Sequence, residues 1–323
     1  MIKKLKSFLF NCKEIMQGKI FAERPAGSFD YDAHLYLFVT LDCNLNCPYC
    51  GLKKKNDSGF AGAINPDFIE TINKTNRIFS FNITGGEPFL VPNLTDVLEK
   101  ITERHFITIN TNLTSDNVKI FADKIDRKKV KYILGSLHIK ELERHSLIEN
   151  YINNYILLKN KGFRIDSKEV AYPALLNEVE NYRRFFSERG VEISFMPFNG
   201  QYNGKMYPFE YTKHEKKVFG IDNVPIIKIA KRKGKICNAG YNAAFCWENG
   251  DITPCHTRNA QTIGNVYSGF KFKNNLMKCP YEICGCPIWC NEYHLYRKAI
   301  KKISAKELFK LITPARLIAK PKN

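Results

Sequence analysis

No apolar run in the 323 residues reaches the roughly 18 that a membrane-spanning helix needs. A signal-peptide core is missing as well. After Met1-Ile2-Lys3-Lys4-Leu5-Lys6 the apolar stretch is only Phe8-Leu9-Phe10 before lysine returns. Secretion is therefore disfavoured and a cytoplasmic location expected. Acidic residues are scarce, 32 against 50 lysines and arginines, for a formal net charge of +18. That balance suits phosphate-rich or acidic partners or an anionic membrane surface, and a lysine-rich genome would produce it too. No specific nucleic-acid partner is expected. No internal repeat is present, and an apolar share of 44% with 25% charged residues excludes disorder and a disulfide-dense miniprotein.

The eleven cysteines are unevenly spread: three lie between 43 and 50 and seven between 237 and 290. Clustered cysteines without an export signal point to metal ligation rather than disulfides. Cys12 stands alone and reads as a small buried side chain.

Short apolar runs at 35–41, 78–84, 106–111, 132–137, 164–171 and 191–196 alternate with amphipathic stretches at 65–75, 94–104, 115–124, 142–162 and 176–190. The first run is apolar enough for a strand buried on both faces. Six strands alternating with five helices indicate a parallel sheet, an open doubly wound one or a partial barrel. Residues 201–233 read as a connector. Gly250-Asp251 is a hairpin turn signal between two short strands, and a basic amphipathic helix is expected from 293 to about 312.

Directly after the first strand comes Asp42-Cys43-Asn44-Leu45-Asn46-Cys47-Pro48-Tyr49-Cys50. Three thiolates at this spacing can hold three corners of an iron–sulfur cube. Zinc stays open from spacing alone, although no fourth cysteine or histidine lies in the loop to close a tetrahedral site. The second strand ends Thr84-Gly85-Gly86-Glu87-Pro88, where glycines let the backbone approach a ligand closely. The two motifs together, over roughly residues 35–198, resemble the radical S-adenosylmethionine (SAM) superfamily.

That resemblance implies a partial (β/α)6 TIM-like barrel and a [4Fe–4S] cluster on Cys43, Cys47 and Cys50 whose open iron binds SAM. Tyr49 would pack near the adenine, and Gly85, Gly86 and Glu87 would contact the methionyl amino group. Asn110 lies on the third strand edge, where Leu113 replaces the family's usual glycine. Ser136 falls where the family often places a ribose contact. His138, beside it, is either a substrate or proton-transfer residue in the barrel mouth or a histidine hydrogen-bonded to a neighbouring strand.

In the second group, Cys237, Cys246 and Cys255 precede a dense loop with Cys279, Cys284, Cys286 and Cys290. A hairpin flanked by two cysteines can offer both thiolates to one centre. The layout resembles the SPASM and twitch extensions of radical SAM enzymes, which carry one or two auxiliary iron–sulfur clusters. It departs from their pattern in loop spacing and in having no cysteine after Cys290. By analogy Cys237, Cys255 and Cys290 would serve one cluster with Cys246 as fourth ligand, leaving Cys279, Cys284 and Cys286. A structural zinc or spare thiols remain open for that second set.

The expected organisation is a basic lead-in (1–34), a radical SAM core (35–200), a connector (201–233), an auxiliary-cluster domain (234–293) and a basic helix and tail (294–323). The lead-in is too short for a separate leader-peptide-binding domain. Either basic end fits packing against the barrel, an acidic partner or an anionic membrane. The resemblance implies reductive cleavage of SAM, with an electron donor such as flavodoxin or ferredoxin, and hydrogen abstraction from substrate. Oxidative modification of a peptide or protein is the first expectation; the alternative is a dehydrogenase-like reaction on a sugar, cyclitol or nucleotide-linked substrate. A non-enzymatic iron–sulfur scaffold or zinc-stabilised nucleic-acid binder does not account for Gly85-Gly86-Glu87-Pro88.

Overall fold

A computed structural model describes residues 29–52, 62–222, 230–231, 233–256, 260–284, 293–302 and 304. The six expected strands form in order: β1 (Ala33–Phe38), β2 (Phe79–Thr84), β3 (Phe106–Thr111), β4 (Val130–Ser136), β5 (Ile165–Ala171) and β6 (Ile193–Pro197). Each pairs in parallel with the next. Between them lie α1 (Phe68–Asn73), α2 (Leu94–Arg104), α3 (Asn117–Lys124), α4 (Ile139–Arg144), α5 (Ile148–Asn160) and α6 (Val179–Ser187). The helix expected over 142–162 starts as α4 and breaks before α5, where Ser146 takes a left-handed φ of 55°.

Helical spacing explains how these helices dock. On α2, Leu94, Val97, Leu98 and Ile101 share one face and are buried. They pack with Leu35, Phe81, Ile107 and Ile133 from one side of the sheet. On the other side, residues in register include Tyr36 and Asn82, Asn110 and Leu134, and Ser136 and Lys168. β1 and β2 are buried on both faces, whereas β4 and β5 alternate. The inner face of the sheet is thus polar and partly open toward β6.

The sheet has eight strands: β1 to β6 in sequence order and, beyond β1, a hairpin of two more. The hairpin expected around Gly250 forms from β11 (Ala243–Cys246) and β12 (Ile252–Thr253), and β11 adds in parallel to β1. The cysteine-rich section is therefore continuous with the core sheet through this hairpin. Within the connector are a hairpin, β7 (Gly200–Tyr202) and β8 (Lys205–Tyr207), and helix α7 (Lys213–Phe219). Asn203-Gly204 turns the hairpin with φ of 47° and 77°, as type I′ geometry requires. Thr212 and Glu215 form a reciprocal cap on α7.

Beyond them are two-residue strands: β9 (Ala230–Lys231), β10 (Ile236–Cys237), β13 (Gly264–Asn265), β14 (Gly269–Phe270), β15 (Met277–Lys278) and β16 (Ile283–Cys284). Helix α8 (Tyr293–Lys302) is the described part of the basic C-terminal helix. The N-terminal basic helix, Cys12 and the continuation to 312 lie outside the described residues. Among the described residues no helix is long and apolar enough to cross a membrane.

Candidate active site

The loop after β1 and the loop after β2 are joined backbone to backbone. The Gly86 N–H donates to the Thr40 carbonyl at 2.9 Å and the Glu87 N–H to the Asp42 carbonyl at 2.8 Å. A Cβ on Gly85 would sit 2.2 Å from the Thr40 oxygen, and one on Gly86 only 1.9 Å from the Asp42 oxygen. Only glycine fits at either position. A trans peptide sets its C=O opposite its N–H, so the Gly85 and Gly86 carbonyls face away from the β1 loop.

Glu87 is buried, 1% exposed. Its carboxylate accepts from the Phe89 N–H at 3.0 Å, the Thr111 hydroxyl at 2.7 Å and the Asn112 N–H at 2.6 Å. Burial pushes its pKa up to about 7, against the pull of these donors. Both oxygens are thus engaged in bracing the end of β3 against the glycine turn.

The cysteine loop is tied to the same brace. Asn44 donates to Thr114 at 2.9 Å and accepts from Asn112 at 2.9 Å. The Asn46 N–H donates to Glu141 at 2.8 Å. Cys43, Cys47 and Cys50 then line one cavity of about 470 Å³ with Gly85, Gly86, Asn110, Ser136 and His138. Burial, followed by the neighbouring Cys43 and Cys50 thiols, holds the Cys47 thiol far above its usual range. Three crowded thiolates in such a place call for a positive centre. Among the described residues, no three His, Cys, Asp or Glu side chains converge as they would on a single ion. Thiols around a cavity fit a bulky iron–sulfur cluster better than one zinc.

His138 and Tyr49 meet at the rim: the Tyr49 hydroxyl lies 3.1 Å from His138 Nδ1 and donates to Glu169 at 3.3 Å. Burial lowers the His138 pKa to about 4, against the charge of Glu141, which keeps the ring neutral near pH 7. Its contact is thus with Tyr49, from the cysteine loop. Glu169, Asn112 and Glu141 are site residues that sequence reasoning missed. Glu169 is fully buried, accepts from the Ile139 N–H at 2.6 Å, and is pushed up to about 7 by burial. Nothing in the sequence singles it out, since β5 also carries Asp166 and Lys168. Leu113, where the family carries glycine, adopts the left-handed φ of 56° that glycine favours.

Cys237, Cys255 and Cys279 line a second cavity, of about 240 Å³. Cys237 pairs with Met277 across β10 and β15, and the Cys279 N–H donates to the Lys235 carbonyl. The two cysteines are therefore diagonal neighbours on one face of this ladder. Cys246 does not join them, a correction to the ligand set drawn by analogy. It is 1% exposed on β11, packed in the main core in register with Leu37, and it ends that strand at the Gly250 turn, whereas Cys255 follows β12 at the opposite end of the hairpin. Cys279 takes a place assigned to the other set. Cys284 is described in backbone alone, and Cys286 and Cys290 lie outside the described residues.

Residues 37–184 match the family model described as the radical SAM superfamily. The chain belongs to the radical SAM superfamily. It is accordingly a radical SAM enzyme, a membership that implies a [4Fe–4S] cluster and SAM. An uncharacterised protein of Methanocaldococcus jannaschii is 30% identical over 74% of this chain and 91% of its own length. The Bacillus subtilis antilisterial bacteriocin subtilosin biosynthesis protein AlbA is 21% identical over 75% of this chain and 59% of its own. Among solved structures, anSMEcpe with bound AdoMet superposes with a TM-score of 0.54 at 17% identity, covering 73% of this chain and 78% of that one. That likeness shows a shared radical SAM fold.

Proposed function

We propose that this radical SAM enzyme oxidatively modifies a peptide or protein. The observation that carries the reading is where the thiol-lined cavity opens. Val170 lines it, and its register partner Met196 on β6 is 46% exposed. β6 and β12 are the two edges of a sheet that does not close on itself. An extended substrate can lie along such an open face, which suits a polypeptide better than a small enclosed molecule. AlbA, by its name, acts in the biosynthesis of a bacteriocin, and anSMEcpe also resembles this chain in its peptide-bound form at a TM-score of 0.51.

Cys43, Cys47 and Cys50 would hold the first cluster, in the cavity they share with Gly85 and Gly86. When bound and reduced, the cluster supplies the electron that cleaves SAM to methionine and a 5′-deoxyadenosyl radical able to take hydrogen from substrate carbon. The chain's residues orient and shield. The Gly85 and Gly86 carbonyls accept from the methionyl ammonium, since the Glu87 carboxylate is already engaged. Tyr49, held by Glu169 and His138, packs near the adenine, and Asn110 and Ser136 offer hydrogen bonds to the ribose side. Cys237, Cys255 and Cys279 would hold an auxiliary cluster, which would supply an acceptor for the electron left after abstraction, with flavodoxin or ferredoxin as the donor of the first one.

The test is anaerobic reconstitution, followed by SAM with candidate peptides. The expected result is 5′-deoxyadenosine formed in step with a peptide lighter by two hydrogens. Product from a sugar, cyclitol or nucleotide and none from peptides would overturn the substrate reading.

A further inference from the structure

A separate cavity of about 230 Å³ lies between the end of β1 and the β11–β12 turn, and the chemistry above does not use it. Asp42 lines it and is only 7% exposed. Its Oδ1 has no hydrogen-bond partner, and Oδ2 receives only the Thr40 hydroxyl at 3.4 Å. A carboxylate buried with so little compensation is costly unless a cation or donor completes it. In a chain of net charge +18, this cavity is lined by Asp42 and Glu248 and, among the described residues, by no lysine, arginine or histidine.

The remaining wall mixes aliphatic side chains, Leu37, Val39, Ile64 and Val266, with aromatic ones. Phe38 and Trp247 stack at 4.8 Å, and both line the cavity with Tyr267. Ring faces attract cations, most strongly where water is excluded. A hard metal ion would want six or more oxygen ligands, and no convergent metal-binding group exists among the described residues. A buried carboxylate beside aromatic and aliphatic side chains instead matches an alkylammonium or guanidinium, whose methylene stem can lie along the apolar wall.

We propose that this cavity is a subsite for an organic cation: the ammonium or guanidinium of a basic residue next to the residue that is modified. The identity of the cation's carrier rests on the peptide reading above; the cation itself does not. Leu41 lines both this cavity and the one bearing the three thiols, and Asp42 directly precedes Cys43. A basic side chain anchored at Asp42 therefore presents a neighbouring residue, about 3.3–3.6 Å along an extended chain, to the reactive cavity. The subsite would set the register of modification.

The experiment is anaerobic calorimetric titration of the full-length, cluster-reconstituted protein with butylammonium, butylguanidinium and the neutral isostere 1-butanol. Saturable binding of both cations is expected, with 1-butanol at least tenfold weaker. Asp42→Asn, at wild-type iron content, should weaken both cations at least tenfold. Equal binding of 1-butanol, unchanged cation affinity in a folded Asp42→Asn, or displacement of butylammonium by equimolar potassium chloride overturns the proposal. If that variant does not fold, the wild-type contrast between butylammonium and 1-butanol decides alone. Cation binding without modification of any peptide removes the peptide reading and keeps the subsite; peptide modification without cation binding removes the subsite only.

Discussion

From β1 to β6 every strand has five to seven residues and pairs with its sequence neighbour, whereas β9, β10 and β13 to β16 have two residues each and pair in isolated ladders. The first region buries a continuous apolar core against its helices. The second lends Val266 and Phe272 to that core and otherwise has a small cluster of its own, Ile236, Leu276, Ala299 and Ile300. Two-residue ladders are marginal in water. In the core, then, the cysteine loop rides on a sheet edge that stands without it. In the C-terminal section, the proposed ligation by cysteines would supply much of the stability, because metal binding couples to folding.

The change expected to have the largest effect strikes the rigid region. Gly86→Ala drives a methyl into the Asp42 carbonyl and displaces the turn beside the thiols. Formation of 5′-deoxyadenosine should fall by about 100-fold or more, the scale of a misplacement near 1 Å. A variant with wild-type turnover would break the claim that this edge is preorganised.

Next comes the metal-dependent region. Cys279→Ala should remove about four irons per chain and open residues 234–284 to limited proteolysis, while the core keeps its melting transition. Cys246→Ala should leave iron content unchanged, since that thiol is packed in the main core. The reverse pattern would restore the ligand set drawn by analogy.

A third effect is pH-dependent. Glu87 and Glu169 have pKa values of about 7 in the folded chain, above the ordinary 4.5. Between these values the folded state binds more protons than the unfolded one. Their stabilising contribution is therefore complete below about 4.5 and is lost as pH rises through about 7, roughly 1–3 kcal/mol for each group. Thermal unfolding should occur at lower temperature at pH 8 than at pH 6, and Glu87→Gln should flatten that difference. A melting temperature that rises from pH 6 to 8 would contradict the assignment.

The smallest effect separates two opposing terms at Leu113. Glycine would relieve left-handed strain of about 1–2 kcal/mol but empty a fully buried site worth about 2–5 kcal/mol. The cavity term wins, so Leu113→Gly should lower the melting temperature by a few degrees. A rise would mean that strain dominates.

Five of the six core strands could be read from the sequence as compact apolar runs, whereas β5, Ile-Asp-Ser-Lys-Glu-Val-Ala, was legible only from its place in the strand–helix alternation. The thiol loop and Gly85-Gly86-Glu87 could be read because their chemistry is local. Glu169 and Glu141 could not, since each acts on a loop far away in the chain through a buried carboxylate. The addition of β11 to β1 was also hidden. Ala243–Cys246 is four residues long, and nothing in so short a run says which edge it will join. Cys246 was misplaced for the same reason: spacing gives its distance along the chain but not the face of the sheet it occupies. The Asn203-Gly204 turn was legible and overlooked.

The most direct measurement compares wild-type protein with a Cys43→Ala, Cys47→Ala, Cys50→Ala variant, both reconstituted anaerobically, by iron content, electron paramagnetic resonance after reduction, and 5′-deoxyadenosine formation. The variant should lose about four irons and all SAM cleavage, yet keep a reduced-cluster signal from the C-terminal cysteines. Undiminished 5′-deoxyadenosine formation, or loss of every cluster signal together, would contradict the account of two separately held centres.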